Sequence, residues 1–147
     1  AELRRRLAVR DGGPATPVAK GEIAMYLAGR WHTLSAPATR MPASGDVVAG
    51  LDVSWLHDDV LSPLLGIHDV RTDTRIGFVG GIRGTDALEH AVDSGRCAVA
   101  FSLFPVSAGD LMRVADAGGI MPPKSTWFEP KLRDGLLSHL LRSPKIP

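Results

Sequence analysis

Residues 22–34 read EIAMYLAGRWHTL and decide the fold class of this chain. Two runs rich in β-branched, aromatic and other apolar residues flank Gly29-Arg30. This pattern predicts a β-hairpin, with strands at Glu22–Ala28 and Trp31–Leu34. Tyr26 and Trp31 would face each other across it and pack together. The chain is therefore predicted to contain a β-sheet.

A helix is predicted downstream of the hairpin, over Asp52–Leu65. Its apolar residues recur at intervals of three and four, which places them on one helical face: Val53, Leu56, Val60, Leu61, Leu64 and Leu65. Asp52 or Ser54 can cap its start, and Gly66 can cap its end. Pro63 lies inside the pattern and is expected to end or kink the helix shortly before that point.

Two further helices have start and stop signals. Thr85 can cap the first of them, and Gly95 follows its last turn. The second starts with Ser107 and Asp110, whose spacing resembles a capping box, and Gly118-Gly119 ends it.

Two more strands are predicted between and around these helices. Arg75–Gly80 is typical of a short strand. Cys97–Phe104 is almost wholly apolar, which indicates a strand buried on both faces, or one buried on a single face at an edge. The resulting order is β-β-α-β-α-β-α. It predicts an α+β domain with one sheet of about four strands and helices packed on it.

The first part of the chain is expected to stand apart from that domain. Leu3, Leu7 and Val9 could belong to the end of a helix or a strand, and the turn-forming Asp11-Gly12-Gly13-Pro14 follows them. We interpret them as an entry segment or the end of a preceding domain, with the α+β domain spanning 21–147. The chain is then expected to be the C-terminal piece of a longer protein.

Composition excludes several classes of partner. The 147 residues carry a net charge of +1, so there is no electrostatic reason to expect nucleic acid or an anionic membrane. No apolar run approaches the length of a membrane span. The single cysteine, Cys97, is predicted to be a small buried hydrophobe, and its lack of a disulfide partner fits a reducing, cytoplasmic location.

Metal and hydrolase sites are not predicted. No two of the five histidines have metal-ligand spacing, and no cysteine pair supports them, so no metal ligand is assigned. A Gly-x-Ser-x-Gly motif is absent from the sequence. The glycine-rich residues 80–84 favour a tight turn over an anion-binding helix start.

Residues 121–131, MPPKSTWFEPK, form the most unusual stretch. A phosphate loop needs glycine before its lysine, but Pro123 stands there and has no amide hydrogen. Four polar side chains can nevertheless contact a phosphate or carboxylate: Lys124, Ser125, Thr126 and Lys131. The alternative is a proline-stiffened connection with solvated lysines. Trp127 and Phe128 are interpreted as interface anchors.

Three stretches, read together, resemble the C-terminal part of the bacterial and archaeal domain-of-unknown-function family 1015 (DUF1015). They are MYLAGRW at 25–31, DVSWLH at 52–57 with LLGI at 64–67, and VAF at 99–101 leading to VADAGGIMPPKSTWFEPKLRDGL at 114–136. The resemblance covers residues 20–137. Trp127 and Glu129 depart from it, because tyrosine is common at those places in the family.

The resemblance implies a longer full-length protein. Its N-terminal half would carry an Asp-Gly-His-His-Arg motif similar to one in the ParB and sulfiredoxin group, which includes nucleotide-dependent enzymes and a kinase. This chain lacks that motif, so no catalytic residue or cofactor is assigned to it. The full protein is then expected to be a phosphotransferase or a nucleotide-binding protein.

Two hypotheses for this chain follow. In the first, it is an accessory domain that binds a nucleotide or phosphorylated small molecule in a cleft shared with the N-terminal half, through Lys124, Ser125, Thr126 and Lys131. In the second, it is an interaction module in which Trp127 and Phe128 dock against that half or against a second copy.

Overall fold

A computed structural model describes residues 2–36 and 46–126 of the chain. It confirms the α+β class with one antiparallel sheet, whose four strands lie in the order β1-β3-β2-β4. The strands are β1 Ala8–Asp11, β2 Glu22–Leu27, β3 Arg30–Ser35 and β4 Ala100–Leu103. The helices are α1 Glu2–Arg6, α2 Asp52–Leu56, α3 Ser62–Leu65, α4 Asp86–Asp93 and α5 Ala108–Asp116. No helix in this part of the chain is long and apolar enough to cross a membrane.

The predicted hairpin is present as β2 and β3. Its two-residue loop is Ala28-Gly29, one position earlier than predicted, and both residues have positive φ angles of 50° and 74°. These angles suit a type I′ turn, which matches the twist of the flanking strands. Tyr26 lies opposite Trp31, and their ring centroids are 5.0 Å apart, so the predicted cross-strand pair is confirmed.

Strand β2 lies at the centre of the fold and is buried on both faces. Ile23 and Met25 pack into the main core, which includes Trp55 and Leu56 of α2. Alternate side chains of a strand point to opposite faces. Accordingly Tyr26 points the other way and donates its hydroxyl to Asp93 of α4. Helices therefore cover both faces of the sheet.

The predicted order of elements was wrong in two places. Arg75–Gly80 forms no strand, because no strand of residues 2–36 or 46–126 lies beside it to complete a ladder. Conversely β1 lies within the first twenty residues and pairs with β3, joining Val9 to Leu34. Leu7 belongs to the same core as the hairpin.

The apolar run Cys97–Phe104 forms a shorter strand than predicted. Only β4 is extended within it, and β4 is an edge strand paired with β2 alone. Cys97 is exposed, so the prediction of a buried thiol was wrong. Its backbone amide donates to Ala91 O at 2.9 Å, which holds it in the turn after α4 and outside the sheet.

The helical segment from Asp52 to Leu65 is continuous. His57–Leu61 forms a π-helical turn between α2 and α3, and Pro63 does not end the helix. Pro63 lies in the first turn of α3, where a missing amide hydrogen is tolerated. Gly66 ends the segment with φ of 65°, as predicted, and Ile67 N donates to Leu61 O.

The predicted caps are partly confirmed. Ser107 and Asp110 form a reciprocal capping box at the start of α5. Thr85 occupies the cap position of α4 without a side-chain hydrogen bond. At α2 the prediction was wrong, because Leu51 is the capping residue and no side chain caps it.

Candidate functional site

The turn after α5 contains three of the four predicted anion-binding residues. Ser125 donates its hydroxyl to Pro122 O at 2.7 Å and its amide to the same oxygen at 3.3 Å. Ser125 therefore stabilises the turn. Lys124 and Thr126 are exposed on it. Lys131, Trp127 and Phe128 lie outside the described residues.

Lys124 has a backbone conformation that is rare for a residue with a side chain. Its φ is 58°, in the left-handed region. That region costs a non-glycine residue about 1–2 kcal/mol. The turn presents its ammonium group to solvent, with no ion pair to residues 2–36 or 46–126. A cation and a neighbouring hydroxyl are thus available to an oxyanion at this turn.

A second polar region, which the sequence did not predict, lies where β1 ends and β3 begins. A cavity of about 560 Å³ opens there, lined by Asp11, Gly12, Gly13, Arg30, Trp31 and His32. The sheet register places Asp11 opposite His32, so residues far apart in sequence meet at this edge. The Asp11–Gly13 turn, which the sequence predicted only as a turn, forms one wall of the cavity.

The carboxylate of Asp11 is held by two cationic or hydrogen-bonding partners. His32 Nδ1 donates to Asp11 Oδ1 at 2.9 Å, and the Arg4 guanidinium contacts the same oxygen. These contacts, that of His32 first and then that of Arg4, lower the pKa of Asp11 below its ordinary value. Asp11 is therefore ionised at neutral pH and keeps a proton on Nδ1 of the imidazole.

The segment Gly77–Ile82, which has no regular secondary structure until it enters the Gly81–Arg83 3-10 turn, is the third unusual feature. Its six amides donate no hydrogen bond to any residue among 2–36 and 46–126. Phe78, Val79 and Ile82 are 50%, 39% and 71% exposed. Apolar side chains next to unpaired backbone amides are characteristic of a segment that pairs with another chain.

Two buried carboxylates, those of Asp52 and Asp110, lie near the start of β2. Asp110 accepts hydrogen bonds from Lys20 and Ser107, and the Lys20 contact is the first cause of a strongly lowered pKa. Asp52 accepts from Gly21 N and Trp55 Nε1, but burial raises its pKa. These contacts join the start of β2 to α2 and α5. We therefore assign both acids to stability.

The structure also brings Ser62 Oγ within 2.9 Å of His68 Nδ1. A serine nucleophile needs nearby free amides to stabilise an oxyanion. The amide of Ser62 instead donates to His57 O within the helical segment. The Ser62 amide is therefore not available as an oxyanion donor.

No cluster of three or more potential metal ligands occurs among residues 2–36 and 46–126. Comparison with known proteins found no match to this chain among family models, curated proteins or solved structures.

Proposed function

We propose that this chain is an interaction module, and that Gly77–Ile82 docks onto the N-terminal half of its own protein, with residues 77–80 adding as a strand. The observation that carries the proposal is that the amides of residues 77–80 donate no hydrogen bond to residues 2–36 or 46–126, next to three exposed apolar side chains. A segment with free amides can gain backbone hydrogen bonds by adding to the edge of a partner sheet.

Both ends of this docking segment are held in place. At the start, Arg75 donates to Leu65 O at 3.1 Å and to Gly66 O at 2.8 Å, and Ile76 packs against the core. At the other end Gly81–Arg83 forms a 3-10 turn that leads into α4. A segment fixed at both ends loses less conformational entropy on binding than a free loop does.

Burial of the exposed side chains supplies the driving force. Full burial of a Val, Ile or Phe side chain is worth about 1.5–3 kcal/mol. Phe78, Val79 and Ile82 are partly covered already, so docking adds roughly 1 kcal/mol for each of them. Backbone hydrogen bonds at the partner edge add to this contribution.

The N-terminal half is the favoured partner because the sequence resembles only the C-terminal part of a longer family. Hydrogen exchange of the amides of residues 77–80 tests this choice. We expect fast exchange in the isolated chain and strong protection in the longer protein. Fast exchange in both would contradict the proposal, and protection that rises with the concentration of the isolated chain would identify a second copy as the partner.

A matched pair of variants sharpens the test. Phe78→Glu should lower the free energy of unfolding of the longer protein by about 1–2 kcal/mol, because it removes a docked side chain. It should leave the isolated chain unchanged. Met112→Glu is the control, since Met112 is a similarly exposed apolar residue on α5. Equal effects of both variants in the longer protein would contradict the docking role of Phe78.

A second function is favoured by the strained turn at Lys124. We propose that Lys124 and Thr126, with Lys131, bind the phosphate of a nucleotide or phosphorylated small molecule, and that Ser125 shapes the turn. Backbone strain at a non-glycine residue often accompanies a functional position. Nucleotide and phosphoserine binding by the longer protein with Lys124→Ala tests this. An unchanged affinity would contradict it.

A further inference from the structure

We propose that the cavity between the end of β1 and the start of β3 binds a small hydroxylated anion, with Arg30 pairing with its carboxylate or phosphate group and His32 Nε2 accepting from its hydroxyl group. This site is separate from the docking segment and from the Lys124 turn. It rests on the geometry of six residues that the sheet register brings together.

The imidazole of His32 is oriented as a hydrogen-bond acceptor. Its Nδ1 is committed to Asp11 at 2.9 Å, and its side chain is only 17% exposed. In the neutral form of the ring, a proton on Nδ1 leaves the lone pair on Nε2. Nε2 has no hydrogen-bond partner among residues 2–36 and 46–126. It is therefore free to accept from a ligand hydroxyl.

The guanidinium of Arg30 supplies the positive charge. It forms no hydrogen bond or ion pair with any residue of the described ranges. Asp11 is already paired with Arg4, so the Arg30 guanidinium is the lining charge that no residue of the described ranges neutralises. A guanidinium pairs well with a carboxylate or a phosphate, which offers two acceptor oxygens.

The other walls are held by a hydrogen bond, a ring contact and a close backbone approach. Trp31 Nε1 donates to Glu89 Oε1 at 2.6 Å, and its ring packs on Tyr26. Gly13 has a φ of 126°, and a Cβ atom there would lie 2.3 Å from Thr33 Oγ1. The glycine turn can therefore lie close against β3, and the volume of about 560 Å³ falls within the range of small-molecule sites.

The experiment is an NMR titration of this chain that follows the Trp31 indole and His32 ring signals. The probes are glycerol 3-phosphate and glycolate, compared with methyl phosphate and acetate, which lack the hydroxyl. We expect both hydroxylated probes to shift these signals with dissociation constants on the order of millimolar, because the ion pair remains solvated. The probes without a hydroxyl should bind several-fold more weakly.

Two variants test the separate roles of Arg30 and His32. Arg30→Gln should weaken binding of all four probes about fivefold, whereas Arg83→Gln, a change at an exposed arginine outside the cavity, should have no effect. His32→Phe should remove the preference for hydroxylated probes and leave the affinity for methyl phosphate unchanged. No shift at Trp31 and His32 in the unmodified chain would overturn the proposal. So would an unaltered affinity in Arg30→Gln or a retained hydroxyl preference in folded His32→Phe.

Discussion

Lys20 Nζ lies 2.7 Å from Asp110 Oδ1, although the two residues are 90 positions apart in the sequence. The contact joins a residue two positions before the central hairpin to the first turn of α5. The Asp110 side chain is only 8% exposed and also receives the Ser107 hydroxyl at 2.7 Å. One carboxylate therefore completes a helix cap and connects two distant segments.

The first prediction concerns Lys20. Its contact is the main cause that holds the pKa of Asp110 far below the usual range. A lowered pKa in the folded state stabilises the protein above the unfolded pKa of about 3.9, and that stabilisation is lost only as the pH falls through the still lower pKa of the folded state. Lys20→Met should lower the free energy of unfolding by about 1 kcal/mol at pH 7, and by less at about 1 M salt, which screens the ion pair.

Urea unfolding at pH 7, at low salt and at about 1 M salt, measures the effect of Lys20→Met. Lys124→Met is the control, because Lys124 is exposed and makes no ion pair within residues 2–36 and 46–126. A loss of stability that is the same at both salt concentrations would mean that the Lys20 charge is not responsible.

Asp52 is expected to respond in the opposite way. It is buried, and desolvation raises its pKa, although the Gly21 amide at 2.9 Å opposes the rise. A raised pKa means that ionisation of Asp52 favours the unfolded state, so stability declines as the pH rises above about 3.9. Asp52→Asn retains an acceptor and removes the charge. It should be as stable as the unmodified chain at pH 7, or more stable by up to about 1 kcal/mol.

Asp52→Ala provides the comparison for that variant. It leaves the Gly21 amide and the Trp55 indole without their acceptor and should cost about 1–3 kcal/mol. Chemical unfolding of the two variants at pH 7 distinguishes them. If Asn were as destabilising as Ala, the charge of Asp52 and not its acceptor oxygens would be the stabilising feature.

A substitution in the hairpin loop should stabilise the protein. Ala28 has φ of 50°, a left-handed conformation that alanine tolerates poorly. Asn is favoured at this position of a type I′ turn, before a glycine such as Gly29. Ala28→Asn should raise the free energy of unfolding by about 0.5–1 kcal/mol, seen as a higher melting temperature. A lower melting temperature would show that the loop adopts another turn in solution.

The two glycines of the cavity wall should differ in their tolerance of a side chain. Both have positive φ, but a Cβ on Gly12 meets nothing within 4 Å. On Gly13 it would meet Thr33 Oγ1 at 2.3 Å. We expect Gly12→Ala to cost about 1 kcal/mol and Gly13→Ala at least 1 kcal/mol more, measured by thermal unfolding. Equal costs would contradict the close approach of this turn to β3.

Cys97 should react in the native state. Because it is exposed in the turn after α4, a maleimide should label it without denaturant. Mass spectrometry of the folded protein measures the label, and Cys97→Ser supplies the unlabelled control. Labelling that appears only after unfolding would contradict the exposed position.

Local signals in the sequence predicted the elements that depend on neighbouring residues. The hairpin, the capping box of Ser107 and Asp110, and the ending at Gly66 were confirmed because turn and cap geometry are set within a few positions. The prediction of a strand at Arg75–Gly80 was wrong. The composition of this segment favours extended backbone, but a strand also needs a neighbouring strand to pair with. The prediction of a buried Cys97 was wrong because the apolar run does not show at which residue its strand begins.

The candidate sites divide in the same way. The Lys124–Thr126 turn could be found from its prolines and polar residues, which act locally. The cavity could not be found, because Asp11 and His32 meet only through the pairing of β1 with β3. The sequence by itself determined the α+β class, the hairpin and most helix ends, since short-range backbone preferences decide them. Only the tertiary structure decided which strand edges pair, that Lys20 meets Asp110, and which amides of Gly77–Ile82 have no partner among residues 2–36 and 46–126. These features depend on contacts between residues far apart in the chain.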